Sequence, residues 1–211
     1  MGELAENNSK TWFDQNRKRY EQSVKEPFHD LVAEMIQRIQ QEDPRVDLSP
    51  KDAIFRINRD MRFAKGKPPY KTFVSALISP GGRRKKEIPG FYLELRAEHI
   101  RVYGGAYMVD RAGLEKVRSA ITADLDGFER LLSDSVFKQK YGEMRGKRFK
   151  RVPSELKEVA REQPVLLNKE FYFFAELSPR LLSDDSLPEE LMAYYRVGKP
   201  LSDFLLRALG F

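Results

Sequence analysis

The residues best suited to chemistry in this chain are cations that lie with a few polar and aromatic side chains in its middle. Arginine pairs its N–H donors with phosphate or carboxylate oxygens, and lysine adds positive charge without fixed geometry. These residue types predict a module that binds an anionic or phosphorylated ligand, with nucleic acid as one candidate partner. The predicted ligand-binding residues are Arg56, Asn58, Arg59, Arg62, Lys71, Tyr103 and Tyr107.

The spacing of these residues fits a strand with one polar face. On a β-strand, Arg56 and Asn58 share one face, and Phe55 and Ile57 share the opposite face. The apolar face can pack while guanidinium and amide groups project away from it. In the alternative interpretation the arginines are structural and pair with nearby acids. The acids available for such pairs include Asp52 and Asp60.

The positive charge of the chain is concentrated in one stretch. Residues 51–101 hold 13 Lys or Arg against 5 Asp or Glu, a balance of +8. The whole chain has a formal net charge of +6, so the remainder sums to −2. Two shorter basic runs cover residues 83–86 and 145–151. This asymmetry favours an anionic partner for one face.

The composition excludes several kinds of site. The chain has no Cys and two His, which rules out disulfides, thiolate metal sites and a three-histidine zinc site. We therefore expect no metal and no cofactor. The longest charge-free stretch, residues 72–82, is shorter than the roughly 18 apolar residues of a membrane span. No signal-like sequence opens the chain, so we expect a cytoplasmic protein with no membrane partner.

Two other functions fit the same residues. A metal-independent enzyme could use Glu94 or Asp60 as a base, with arginines stabilising developing negative charge. A protein–protein interaction module could instead use Trp12, Phe13 and an aromatic face near the C-terminus. The sequence leaves open whether any reaction is catalysed, and it also leaves the oligomeric state open.

Helices are predicted at the start of the chain. Asn8 or Ser9 can cap a first helix, and Pro27 suits the first turn of a second helix. Apolar residues of this second helix recur at helical spacing from Phe28 to Ile39. Asp43 precedes a proline and should end the helix.

The centre of the chain is predicted to be a sheet. Its β-rich segments are residues 54–57, 72–79, 91–98, 99–103 and 171–176. The loop that begins at Pro80 carries the first of the two shorter basic runs, so the segments on either side of it should form an antiparallel hairpin. Apolar and polar side chains alternate within residues 91–98, which indicates that one face of the sheet is buried and the other is partly exposed to solvent.

Glycines and prolines mark the later elements. Gly104 and Gly105 are predicted to form a tight turn that leaves a strand, and Asp110 is a helix cap. Pro153 should begin a helix that runs to about residue 162. The last helical region should begin at Pro188.

Gly198 and Pro200 are expected to interrupt this last helix. No repeat or low-complexity linker divides the chain. We therefore predict one α+β domain over residues 1–211, with a central, mainly antiparallel sheet packed against several helices.

Several motifs in order resemble a bacterial family of conserved hypothetical proteins, the domain of unknown function 2461. The matching residues are Trp12-Phe13 with Asn16, Arg19 and Tyr20; Ile54-Phe55-Arg56-Ile57, Arg59-Asp60, Arg62-Phe63 and Pro69-Tyr70-Lys71-Thr72; Pro80-Gly81-Gly82 with Tyr92-Leu93; Gly104-Gly105 with Tyr107-Met108; and Lys199-Pro200-Leu201 with Phe204-Leu205. The resemblance covers nearly the whole chain and implies a single domain. It brings no established activity.

The chain departs from the family pattern at two positions. Family members commonly have His where this chain has Phe73, and Arg where it has Thr11. The first difference implies either that no histidine is needed at that position for chemistry in this chain, or that this member has lost it.

Overall fold

A four-stranded antiparallel sheet runs through the computed structural model, which describes all 211 residues. The strands lie in the order β1-β2-β3-β4, so each strand pairs with the next one in the chain. They are β1 (Val74–Ile78), β2 (Phe91–Leu95), β3 (Ile100–Ala106) and β4 (Phe171–Leu177). The predicted α+β class with a mainly antiparallel sheet is confirmed.

Helices account for most of the remaining regular structure. They are α1 (Gly2–Glu6), α2 (Lys10–Tyr20), α3 (Glu26–Glu42), α4 (Pro50–Ala53), α5 (Arg111–Ala123), α6 (Leu125–Ser133), α7 (Ser135–Tyr141), α8 (Val159–Glu162) and α9 (Leu187–Leu209). None of them combines the length and the apolar run that a bilayer crossing requires.

Helices α2 and α3 form at the positions that the sequence predicts. The Ser9 side chain accepts a hydrogen bond from the Trp12 N–H at 3.3 Å and caps α2. A π-helical turn, Glu21–Lys25, joins α2 to α3. The apolar side of α3 is buried, including Val32 and Ile39. Burial of this face supplies stability that an isolated helix lacks.

Backbone contacts divide the chain into two compact units. The first unit comprises Met1–Arg84, Tyr92–Arg101 and Glu176–Met192. The second unit comprises Lys85–Phe91, Val102–Ala175 and Ala193–Phe211. That residues 1–211 form one domain stays a prediction.

The paired glycines lie inside β3, so the predicted turn at this point is wrong. A Cβ on Gly104 would come within 2.4 Å of the Phe173 ring. Gly105 has a φ of +92°, and a Cβ there would lie 2.2 Å from the Phe171 carbonyl oxygen. Glycine is required here because β4 approaches the backbone of β3 closely.

Helix α9 continues through Gly198 and Pro200, against the predicted interruption. Proline inside a helix costs about 3 kcal/mol. The same helix buries Leu201, Leu205 and other apolar side chains, and each of these contributes about 1.5–3 kcal/mol. Tertiary burial therefore outweighs the local cost.

The helix predicted from Pro153 to about residue 162 is only partly formed. A 3₁₀ turn, Ser154–Leu156, is followed by the short helix α8. Asp110 does cap α5, since its carboxylate accepts from the Gly113 N–H at 2.7 Å.

Candidate functional site

The basic segment, residues 56–71, folds back on itself as a short hairpin within the first unit. An isolated antiparallel bridge joins Asn58 to Tyr70. The Arg59 N–H donates to the Pro69 carbonyl at 2.8 Å. Asn58 is exposed, as predicted for a residue on the polar side. Hydrogen bonds therefore join the first arm of the hairpin, which contains Asn58, to the second arm, which contains Tyr70. A loop connects the two arms.

The strand predicted at residues 54–57 forms only one isolated bridge, which joins Ile54 to Ala76. The Phe55 N–H donates to the Ser75 carbonyl at 2.9 Å, and the Lys71 N–H donates to the Ile57 carbonyl at 2.8 Å. Residues 54–57 are not one of the four strands of the sheet. The basic segment therefore does not lie on a sheet face, contrary to the prediction.

Aromatic packing fixes the base of this hairpin. The Tyr70 ring stacks on the Phe13 ring with centroids 4.1 Å apart, and both side chains are buried with Leu4 and Ile57. The Asn8 amide donates to the Tyr70 carbonyl at 3.0 Å and accepts from the Tyr70 N–H at 3.1 Å. The arm that precedes β1 is therefore held to the N-terminal helices through backbone and ring.

One acid within the basic segment is already neutralised. The Arg62 Nη2 lies 2.7 Å from one oxygen of Asp60, and the Arg62 Nε lies 3.0 Å from the other. These hydrogen bonds hold the pKa of Asp60 below its usual range, and the nearby charge of Arg56 adds to the effect. Arg62 thus fits the alternative interpretation, in which the arginines are structural, because its guanidinium is paired with a carboxylate.

Arg56 and Arg59 have no carboxylate within ion-pair distance. Arg56 is exposed, whereas the Nε of Arg59 is buried and has no hydrogen-bond partner. Asp52, considered above as a partner, instead accepts from the Ser49 hydroxyl at 2.8 Å. That bond lowers the pKa of Asp52, and the charge of Arg84 lowers it further. The hairpin therefore retains cations that no acid of the chain neutralises.

Lys71 lies against aromatic rings at the end of the second arm. Its Nζ is 5.4 Å from the Phe55 centroid and 5.7 Å from the Phe73 centroid. Arg96 approaches Phe73 at 4.3 Å, and its Nε donates to Glu94 at 2.6 Å. Phe73 therefore presents its ring to two cations. The alternation of Lys71 with Phe73 was a signal for this contact that the sequence reasoning did not use.

Tyr103 and Tyr107 belong to the second unit. Tyr103 stacks on Phe174 with centroids 5.2 Å apart, and Tyr107 meets Tyr172 edge-on at 5.9 Å. Tyr103 lies within β3 and Tyr107 follows that strand, and the next helix, α5, begins after its predicted cap Asp110. Their membership of one site with the basic segment stays a prediction.

Two apolar side chains at the tip of the hairpin were not singled out from the sequence. Phe63 is 81% exposed and Met61 is 54% exposed, whereas Ala64 beside them is buried. Folded chains seldom leave a phenylalanine this open, so its position is informative. The signal in the sequence was an aromatic residue set between cations and followed by a proline pair.

A cavity of about 330 Å³ lies beside the base of the hairpin. Trp12, Asn16 and Tyr20 line it, and burial raises the pKa of Tyr20 to about 12. The cation at its rim, Arg19, is paired with Glu3 at 2.6 Å. This pocket therefore offers aromatic surface, and the charged side chains at its rim, Arg19 and Glu3, neutralise each other.

The chain holds no cluster of three or more His, Cys, Asp or Glu side chains that could bind a metal ion. Glu94 and Asp60, the two carboxylates considered as bases, are each bound by an arginine two residues further along the chain. The Arg62 hydrogen bonds lower the pKa of Asp60, so this carboxylate is a poor proton acceptor. The chemistry that this region offers is the donation of hydrogen bonds and positive charge to an anion.

Comparison with known proteins agrees with the resemblance seen in the sequence. No curated protein and no solved structure matches the chain. The model of a family described as conserved hypothetical protein (DUF2461) matches residues 1–204, which include the whole basic segment and the helices that anchor it. The match spans far more than half of the chain, and the protein therefore belongs to this family.

Proposed function

We propose that the protein binds a phosphorylated or otherwise anionic ligand through the basic segment. The observation that carries this proposal is that neither Arg56 nor Arg59 has a carboxylate within ion-pair distance, whereas Arg62 is paired with Asp60. Guanidinium groups form charge-assisted hydrogen bonds with phosphate or carboxylate oxygens. An anion that binds Arg56 and Arg59 meets no competing carboxylate of the chain, so binding is favoured at this position.

Charge supports the same conclusion. The basic segment holds six Lys or Arg residues and a single acid. That acid is occupied by Arg62, so the surplus cations create a positive potential around the hairpin. The rigid base set by Tyr70 and Phe13 keeps them on one short element, which reduces the entropy lost on binding.

Catalysis by a carboxylate is less well supported, because Arg62 keeps Asp60 ionised and Arg96 occupies Glu94. The interaction module is also less well supported, because Phe13 is buried in the base of the hairpin and Phe204 is buried in α9. Binding of an anion in the cytoplasm is the function that we retain as the proposal.

Titration calorimetry with inorganic tripolyphosphate at low salt tests this proposal. The double variant Arg56→Gln/Arg59→Gln should lose about tenfold or more in affinity, because it removes charge-assisted hydrogen bonds. The control Arg161→Gln/Arg180→Gln makes the same change in net charge at exposed positions outside the hairpin. Absence of binding by the wild-type protein, or equal losses in both double variants, would contradict the proposal.

A further inference from the structure

The tip of the hairpin places an open aromatic ring among cations. Phe63 is the most exposed large apolar side chain of the chain, at 81%, and Met61 beside it is also open. Arg56, Lys65 and Lys67 are exposed on the same hairpin. Met61 and Phe63 together form a small exposed apolar patch with cations around it, and apolar patches rimmed by polar residues mark contact sites.

The backbone that carries Phe63 is held in a turn by hydrogen bonds to Asp60. The Phe63 N–H donates to the Asp60 carbonyl at 3.1 Å, and the Arg62 N–H donates to the Asp60 carboxylate at 3.1 Å. The Arg62 guanidinium lies 5.6 Å from the centroid of the Phe63 ring. Buried Ala64 anchors the next residue of the turn. The Arg62 guanidinium thus lies near one part of the Phe63 ring, and the rest of the ring is exposed to solvent.

This arrangement matches what a single-stranded nucleic acid requires. Proteins that hold single strands combine cations that follow the phosphates with aromatic rings on which bases stack. An arginine beside the ring adds a cation–π contribution to such stacking. A duplex fits less well, because its bases are already stacked and must be separated before Phe63 can reach them.

An anionic membrane is the other surface that could take up an apolar side chain flanked by cations. Insertion of Met61 and Phe63 would carry Arg62 and its partner Asp60 toward the acyl chains, since these residues are adjacent in the turn. Moving a charged pair out of water is costly. The observations therefore favour a nucleic acid strand.

We infer that the basic segment binds single-stranded nucleic acid, with Phe63 stacked on a base and the surrounding cations on the phosphates. This inference rests on the proposed function and names the ligand class of that site. Stacking does not distinguish one base from another, so the recognition has little sequence preference. Phosphate contacts make the affinity fall steeply with salt.

Fluorescence anisotropy with two labelled strands of equal length tests the inference. One strand is oligothymidylate, and the other is an abasic strand that keeps the phosphates and lacks the bases. The variant Phe63→Ala should lose about tenfold in affinity for oligothymidylate and keep its affinity for the abasic strand. Phe63→Trp should keep or increase the affinity for oligothymidylate. Phe211→Ala, which removes another exposed aromatic ring, should change neither affinity.

The outcomes separate the inference from the function on which it rests. Equal affinity of wild-type protein and Phe63→Ala for oligothymidylate overturns the inference, as does equal binding of both strands by the wild-type protein. Tripolyphosphate binding without strand binding also overturns it and leaves the proposed function standing. Binding to vesicles of anionic phospholipid without strand binding identifies a membrane contact instead. Failure to bind tripolyphosphate overturns the proposed function, and failure to bind strands as well overturns both.

Discussion

The ring of Tyr70 lies over the ring of Phe13 with a centroid separation of 4.1 Å and an angle of 23° between the ring planes. This contact joins the second arm of the basic hairpin to α2. The two arms of the hairpin share a single isolated bridge, so this stack and the Asn8 side chain help to fix the position of the hairpin.

Breaking the stack should destabilise the first unit and uncouple the hairpin from it. We expect Phe13→Leu and Tyr70→Leu to be non-additive, with a coupling energy of about 0.5–1.5 kcal/mol beyond the loss of buried area. Urea unfolding of both single variants and the double variant measures this coupling. Additive effects would show that the two rings are merely buried side by side.

The Asn8 amide should stabilise the hairpin through the backbone of Tyr70. Removal of both hydrogen bonds in Asn8→Ala should cost about 1–2 kcal/mol of unfolding free energy. It should also speed hydrogen exchange at the Tyr70 N–H, which then has no acceptor from Asn8. The control Asn7→Ala removes an exposed amide that caps only α1, and we expect it to change stability by less than about 0.5 kcal/mol. Similar effects of both variants would contradict the role given to Asn8.

The Asp60 carboxyl should titrate below the ordinary aspartate value. Its folded pKa is lowered chiefly by the Arg62 hydrogen bonds, so its contribution to stability is complete above the unfolded pKa of about 3.9. That contribution is lost as the pH falls through the lower folded pKa. Carbon-detected NMR should show the Asp60 midpoint moving upward in Arg62→Gln and staying in place in Arg161→Gln. An unchanged midpoint in Arg62→Gln would rule out the assigned cause.

Two glycines with positive φ should respond differently to alanine. Gly105 has β4 backbone against the position of a Cβ, so Gly105→Ala should cost about 4 kcal/mol or more, or prevent folding. Gly66 has a φ of +72° and open space around it, so Gly66→Ala should cost only about 1–2 kcal/mol of backbone strain. Thermal unfolding of both variants checks the order. A cost at Gly66 equal to that at Gly105 would contradict the steric explanation.

Local features of the sequence were enough to locate several elements. The Ser9 and Asp110 caps act on N–H groups within three residues. The spacing of the apolar residues of α3 likewise reflects only the buried face of that one helix. The surplus of cations in the basic segment is likewise a property of composition. Family membership over residues 1–204 also follows from sequence alone.

Other features depend on neighbours that are distant in the chain. Pro200 lies inside α9 because buried side chains outweigh its local cost, and Gly105 lies inside β3 because β4 packs against it. Which cations stay unpaired is decided by the folded backbone and not by distance along the chain. Arg62 pairs with Asp60 whereas Arg59 does not pair, although both lie within two residues of that acid.

Residue types and their order along the chain thus determined the fold class, the helix caps and the charge of the basic segment. Tertiary structure alone decided which of its cations are neutralised, and it alone left Phe63 open at the tip. The physical reason is that propensity and capping act over a few residues. Burial and ion pairing are instead settled by the surfaces that folding brings together.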